Sequence, residues 1–283
     1  MKNLIVFTRL WLSLGVTLSG LLTYVIAKGT ISTEIIVPTI AILLLALGTS
    51  ALNQYQEKEY DANMPRTKTR PLITGEISVF NGLIISIGLI LVSIILIYNS
   101  IGMTGLNLFI FTILLYNGLY TPMKRWSAFA VIPGSLLGVV APAVGWITAG
   151  YSMLEIGFLS LAILYFIWQV PHFWLLVIMY HDDYKNAGYP TVVEIFGELS
   201  LHRITFIWII LTFISALFVV SIFEFISIIS YTIFALILAH AMYRAFQFIN
   251  APLGYQIAKK TFVHLNAFVL LTVLLVTIDR VLR

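Results

Sequence analysis

Asn53, Glu57 and Asp61 recur at four-residue intervals in the segment NQYQEKEYDANMPRTKTRPL. On a continuous helix they lie within about 80° of one another and rise about 12 Å along one face. Two carboxylates and an amide oxygen are hard donors suited to Mg2+, which takes one or two carboxylates and completes its shell with water and substrate phosphates. Arg66, Lys68 and Arg70 follow in the same segment, and the guanidinium fork matches phosphate oxygens. An acid row backed by a basic cluster reads as a metal-bridged diphosphate site. The plainer reading is a solvated loop whose basic residues record topology alone.

Two further clusters carry chemistry. Lys124 and Arg125 end the segment YTPMKR and could complete a phosphate clamp, although alone they read as topogenic charges. In WQVPHFWLLVIMYHDDYKNAGYP, Gln169 and His172 sit inside an apolar run beside Pro171, where a bend is expected. Polar groups at membrane depth are costly and usually face the bundle interior. His172 therefore reads either as an interhelical hydrogen-bond partner or as part of a substrate pocket. Asp182, Asp183 and Lys185 close the segment; position 187 is Ala, so Asp183 begins no second acid row. The spacing of His181, His202, His240 and His264 suggests no metal site. The 19 Phe, 14 Tyr and 6 Trp either form interfacial belts or line a lipid-like tunnel whose ring faces stabilise a carbocation.

The elements that must position these residues are membrane spans. The chain is 60% hydrophobic and 10% charged, with a mean hydropathy of +1.00. Soluble domains carry about 25% charged residues, so no water-facing globular surface can be built here. Runs of about 20 apolar residues fall near 10–27, 34–52, 79–98, 103–120, 129–149, 154–179, 204–222, 225–243 and 263–281. The expectation is an all-α, polytopic bundle of about nine transmembrane helices, since backbone groups in hydrocarbon must pair within their own segment. Short and long connections alternate. Of the sixteen Lys and Arg residues, all but Lys28, Arg280 and Arg283 fall at the N-terminus or in the long connections 53–78, 121–128, 180–203 and 244–262. This asymmetry predicts a cytoplasmic N-terminus and long loops, with the C-terminus outside. Gly134, Gly138 and Gly145 on one run allow close helix contact. The absence of cysteine excludes disulfides and thiolate metal ligands.

At the three clusters the chain resembles the UbiA superfamily of intramembrane prenyltransferases, and within it the protoheme IX farnesyltransferase branch. The first motif appears as Asn53, Glu57 and Asp61 followed by Met64, Arg66, Thr67, Arg70, Pro71 and Leu72. Tyr120, Thr121, Lys124 and Arg125 match the second. Trp168, Gln169, Pro171, His172 and Phe173, then Asp183, Tyr184, Ala187, Gly188 and Pro190, match the segment that marks the branch. Glu57 stands where the family usually has Asp, and the N-terminal family motif T-K-P-R reads Thr8, Arg9, Leu10, Trp11 here.

The resemblance implies a single UbiA-like transmembrane domain over residues 1–283, in the cell (inner) membrane. It implies Mg2+ held by Asn53, Glu57, Asp61 and Asp183, and farnesyl diphosphate gripped by Arg66, Arg70, Lys124, Arg125 and Lys185. Haem B is then the acceptor, beside Trp168, Gln169 and His172, and haem O the product. A haem A synthase or a terminal oxidase is the implied downstream partner, membrane lipid the surroundings, and nucleic acid no partner. Two rivals remain open from the residues: a prenyltransferase with an aromatic, quinone or lipid acceptor, and a transporter. A transporter would place its ionisable groups near the bilayer midplane, whereas these acids gather at one boundary.

Overall fold

The computed structural model describes residues 2–283 and, among them, contains helices and no strand. Eight helical stretches are long and apolar enough to cross a membrane, and one of them, Val79–Met123, has 45 residues. That stretch folds back on itself. Ser86 and Ile90 pack on Gly48, while Asn117 donates to the carbonyl of the adjacent Thr49. Residues so far apart on a straight helix would be separated by about 40 Å. The reversal occurs at Ile101 and Gly102, whose backbone is not helical and where Gly102 has φ 62°; an L side chain is disfavoured there. Nine helical segments long and apolar enough to cross a membrane result among the described residues, as the alternation of apolar runs predicts.

We number them α1 (Leu10–Lys28), α2 (Ile36–Gln56), α3 (79–100), α4 (103–123), α5 (Val131–Thr148), α6 (Ile156–Met179), α7 (Glu198–Phe223), α8 (Ile228–Asn250) and α9 (Tyr255–Val281). Without a hydrophobic drive between helices in lipid, close approach rests on small residues. A Cβ on Gly145 would stand 2.0 Å from the Gly20 carbonyl oxygen, so α1 and α5 touch backbone to backbone. Tyr24, Phe158, Leu161, Phe213 and Phe268 fill the core between α1, α6, α7 and α9.

Three helix ends differ from the hydropathy reading. α7 starts at Glu198, α8 continues to Asn250 and α9 starts at Tyr255. The long connection expected over 244–262 is therefore only the turn at 251–254. Arg203, Arg244, Lys259 and Lys260 ride on helices. Lys and Arg favour helix and can carry their charge outward on long stems, so a hydropathy window ends a span before the helix does. α6 also continues through Pro171 without interruption.

Candidate active site

The acid row lies where α2 gives way to the short helix Lys58–Ala62. Glu57 leaves helical geometry at φ −99°, ψ 8°, yet the bonds from Glu57 N to Asn53 O (2.9 Å) and Asp61 N to Glu57 O (2.8 Å) keep the four-residue register. Asn53, Glu57 and Asp61 thus stay on one face, and all three are buried. Asn53 Nδ2 donates to Thr121 Oγ1 at 2.9 Å, whereas Asn53 Oδ1 is buried without a partner. Glu57 is ion-paired with Lys124 and Asp61 with Arg70. Each pairing engages one carboxylate oxygen and leaves the other available.

The charges are unevenly balanced. Burial opposes ionisation of Glu57, but Lys124 outweighs it and holds the carboxyl below its ordinary range. At Asp61 burial wins over Arg70, and repulsion from Glu57 adds to it, so that carboxyl stands above its ordinary range. Burial also pulls the Arg70 guanidinium down. An unpaired amide oxygen beside two crowded carboxylates is a donor set that fits a divalent cation. Among the described residues no three His, Asp or Glu side chains close into a metal cluster. Asp183, half-buried on the short helix His181–Asn186, therefore does not complete the row.

A π-helical turn, Leu114–Tyr120, carries the second cluster into place; such bulges are frequent at functional sites. Its Asn117 and Gln56 exchange hydrogen bonds, Gln56 Nε2 to Asn117 O at 2.9 Å and Asn117 Nδ2 to Gln56 Oε1 at 3.0 Å. This locks α4 to the end of α2 and brings Thr121 to Asn53 and Lys124 to Glu57. Arg125 instead donates to the Gln56 carbonyl at 2.6 Å and lies over the Tyr60 ring at 5.0 Å. Arg66 is exposed and stacks on Tyr180 at 4.7 Å and Tyr184 at 5.9 Å. Lys185 is exposed and forms no ion pair among the described residues.

The third cluster meets the first through tyrosines. Tyr189 packs on Tyr60 at 4.9 Å between ring centroids, and its hydroxyl points to Glu57 Oε1 at 3.4 Å. Met64, Ala187 and Tyr189 are buried together beneath this lid. From Lys124 a run of rings descends into the bundle: Tyr120, Phe173, His172, Trp168 and Tyr165, with successive centroids 5.4–6.4 Å apart. Gln169 lies against Gly138, where a Cβ would approach to 3.0 Å. The Trp168 and Trp174 ring nitrogens are buried donors without partners. A cavity beside Lys124 is lined by Tyr120, Phe173, Trp174, Tyr184 and Tyr189.

Three residues of this region escape sequence reasoning. Asn266 of α9 accepts at Oδ1 from His172 Nδ1 at 2.8 Å, its own amide donating to the Phe262 carbonyl at 2.6 Å. With Asn266 Oδ1 as acceptor, His172 Nδ1 carries the proton in this bond, and the other ring nitrogen, Nε2, is not engaged by it. Tyr189 is invisible because the motif around it leaves its position unspecified. Arg9, one of two non-glycine residues with positive φ (50°), sits after a helix that Gln54 ties down by donating to the Val6 and Phe7 carbonyls. Burial works against this cation, but Tyr116, Glu57 and Asp61 outweigh it and its pKa is raised. Its only signal in the sequence is a motif that it matches in part.

The sequence pattern of the UbiA prenyltransferase family matches residues 13–273. Curated relatives include protoheme IX farnesyltransferases of Oleidesulfovibrio alaskensis, 35% identical over 62% of this chain and 62% of that one, and of Francisella tularensis subsp. novicida, 33% identical over 63% and 61%. The chain thus spans about three fifths of the length of these relatives. Among solved structures, one described as digeranylgeranylglyceryl phosphate synthase superposes with TM-score 0.80 at 14% identity, covering 100% of this chain and 99% of that one. A UbiA homologue from Archaeoglobus fulgidus bound to GPP and Mg2+ gives 0.68 at 17% identity, covering 97% and 99%. At such identities the likeness is one of fold. With nine crossings, a multi-pass membrane fold shared with these structures and a family pattern running through nearly all its length, the chain belongs to the UbiA prenyltransferase family.

Proposed function

We propose that this chain transfers the farnesyl group of farnesyl diphosphate to a vinyl group of haem B, giving haem O, as one membrane-embedded domain. The observation that carries the reading is the unpaired, buried Asn53 Oδ1 beside Glu57 and Asp61, opposite Arg70, Lys124 and Arg9. The farnesyltransferase names of the relatives and the Trp168–Phe173 segment supply the acceptor. Mg2+ is the proposed ion, since an Archaeoglobus homologue binds it with GPP. Asn53, Glu57 and Asp61 would hold it, and its charge would favour departure of diphosphate.

The chain's own residues do the rest. Arg70 and Lys124, pre-set against the carboxylates, stand ready to turn to diphosphate oxygens, and Arg9 and Arg66 add charge at the same mouth. Positioned cations that need no reorganisation during the reaction stabilise a developing anion most effectively. As the C1–O bond breaks, its electron pair leaves on diphosphate. The faces of Tyr120 and Phe173 shield the allylic cation from water. The vinyl π pair then forms the new carbon–carbon bond, and hydroxide from water quenches the resulting cation, its proton leaving to solvent. His172 Nε2 and the Trp168 ring nitrogen face the acceptor. Arg125 holds the loops, and Asp183 and Lys185 act at the rim. The proposed setting is the cell membrane, N-terminus and acid row cytoplasmic and C-terminus outside, with a haem A synthase or a terminal oxidase receiving the product.

The test is an assay of the purified chain with haem B, farnesyl diphosphate and Mg2+, following haem O by chromatography and mass. Haem O from the wild type and none from Asp61→Ala supports the reading. Wild-type turnover of a quinone precursor with no haem O would replace the acceptor.

A further inference from the structure

A second polar cluster lies away from the acid row, on the lipid-facing seam between α8 and α9. His240 and His264 stack edge to face, ring centroids 5.2 Å apart. Arg244 is one turn further along α8, so it shares the face of His240, and it lies within electrostatic range of His264. Its Nη1 donates to Gln247 at 3.0 Å, but its Nε is buried and unpaired. His240 is exposed and Arg244 and His264 are half-exposed, and neither histidine has a hydrogen-bond partner among the described residues.

Arg244 forms no ion pair among the described residues. Between Glu198 and the C-terminus the only acids are Glu224 and Asp279, and both lie at the opposite ends of their helices, where Asp279 holds Ile226 and Ser230. Arg244 stands six residues, about 9 Å, from the end of α8 at Asn250, a depth at which a guanidinium reaches the headgroup level. Lys259 and Lys260 are exposed at the start of α9. An ionisable residue within a span marks a site that needs a partner. The Arg244 cation beside the two imidazoles disfavours a metal ion and favours an anion, to which an imidazole N–H can donate, and the guanidinium fork selects phosphate geometry.

We propose that His240, Arg244 and His264 bind the phosphate of an anionic phospholipid, in the leaflet on the acid-row side. The site is separate from the prenyl diphosphate site and stands whether or not haem is the acceptor.

Native mass spectrometry of the delipidated full chain, titrated with phosphatidylglycerol, tests this. The wild type should retain one lipid at concentrations where Arg244→Gln retains about tenfold less, and neither should retain diacylglycerol, which has the tails without phosphate. His240→Ala, at an exposed position, should lower retention several-fold and serves if the arginine variant does not fold. Displacement of the lipid by millimolar inorganic phosphate would make free phosphate the ligand and overturn the lipid assignment. Equal retention of phosphatidylglycerol by wild type and both variants would overturn the site itself.

Discussion

The two ends of the bundle each bury an acid, and they treat it differently. At the C-terminal end of α9, Asp279 accepts from the Ile226 backbone N–H at 3.1 Å and the Ser230 hydroxyl at 2.8 Å, with Arg283 at 4.0 Å. Arg280 and Arg283 in turn donate to the Ile26 and Phe223 carbonyls. Asp279, Arg280 and Arg283 all have partners within the chain, so this end is a clasp holding the turn between α7 and α8. At the other end, Asn53 Oδ1 has no partner, and the Arg9 charge is felt by Glu57 and Asp61 with no ion pair to either among the described residues. Buried polar groups left unpaired cost free energy, and such a cost persists where a ligand removes it. The contrast sets the structural acid apart from the acids proposed as catalytic without reference to any motif.

Variants that break the contrast should rank by how directly they touch the ligand. Asp61→Asn, or Glu57→Ala, should lower prenyl transfer about 10³-fold, measured as product per minute in detergent. Asn53→Leu removes the unpaired oxygen at similar size. It should cost about 10²-fold in turnover, while the loss of stability stays at the level of the one hydrogen bond it removes, Asn53 Nδ2 to Thr121 Oγ1, about 0.5–1.5 kcal/mol. Asn266→Leu should cost about tenfold in acceptor turnover while prenyl diphosphate binding is unchanged, and Asn266→Asp, which still accepts from His172 Nδ1, should recover most of it. Asp279→Ala should do the reverse: no change in turnover per folded molecule, but about 1–3 kcal/mol of stability lost through the unpaired Ile226 and Ser230 donors. A fall in activity for Asp279→Ala without loss of stability would remove the distinction between the ends.

What was legible in the sequence is what local periodicity encodes. The four-residue spacing of Asn53, Glu57 and Asp61 survives because backbone bonds hold the register even where Glu57 leaves helical geometry. The apolar runs gave all nine crossings, including the fold at Ile101–Gly102 that joins two of them into one helical stretch. The pairing of Glu57 with Lys124 and of His172 with Asn266 was not legible, for these residues are 67 and 94 positions apart and only packing brings them together. Arg125 and Arg66 illustrate the same limit: the sequence offers both as phosphate ligands, but in the fold Arg125 is engaged by Gln56 and Tyr60, and Arg66 by Tyr180 and Tyr184. Helix ends are misread wherever a basic residue extends a helix past the hydrocarbon, so Arg244, at the start of the expected connection 244–262, is not seen from the sequence to share a helix face with His240.

The most direct measurement is the affinity for farnesyl diphosphate, with and without Mg2+, in wild type, Asn53→Leu and Asp279→Ala. The account predicts tight, Mg2+-dependent binding by wild type and Asp279→Ala, and at least a tenfold loss in Asn53→Leu, one ligand oxygen short. Binding that ignores Mg2+, or that Asn53→Leu leaves intact, would contradict the claim that the unsatisfied end of the bundle is the diphosphate site.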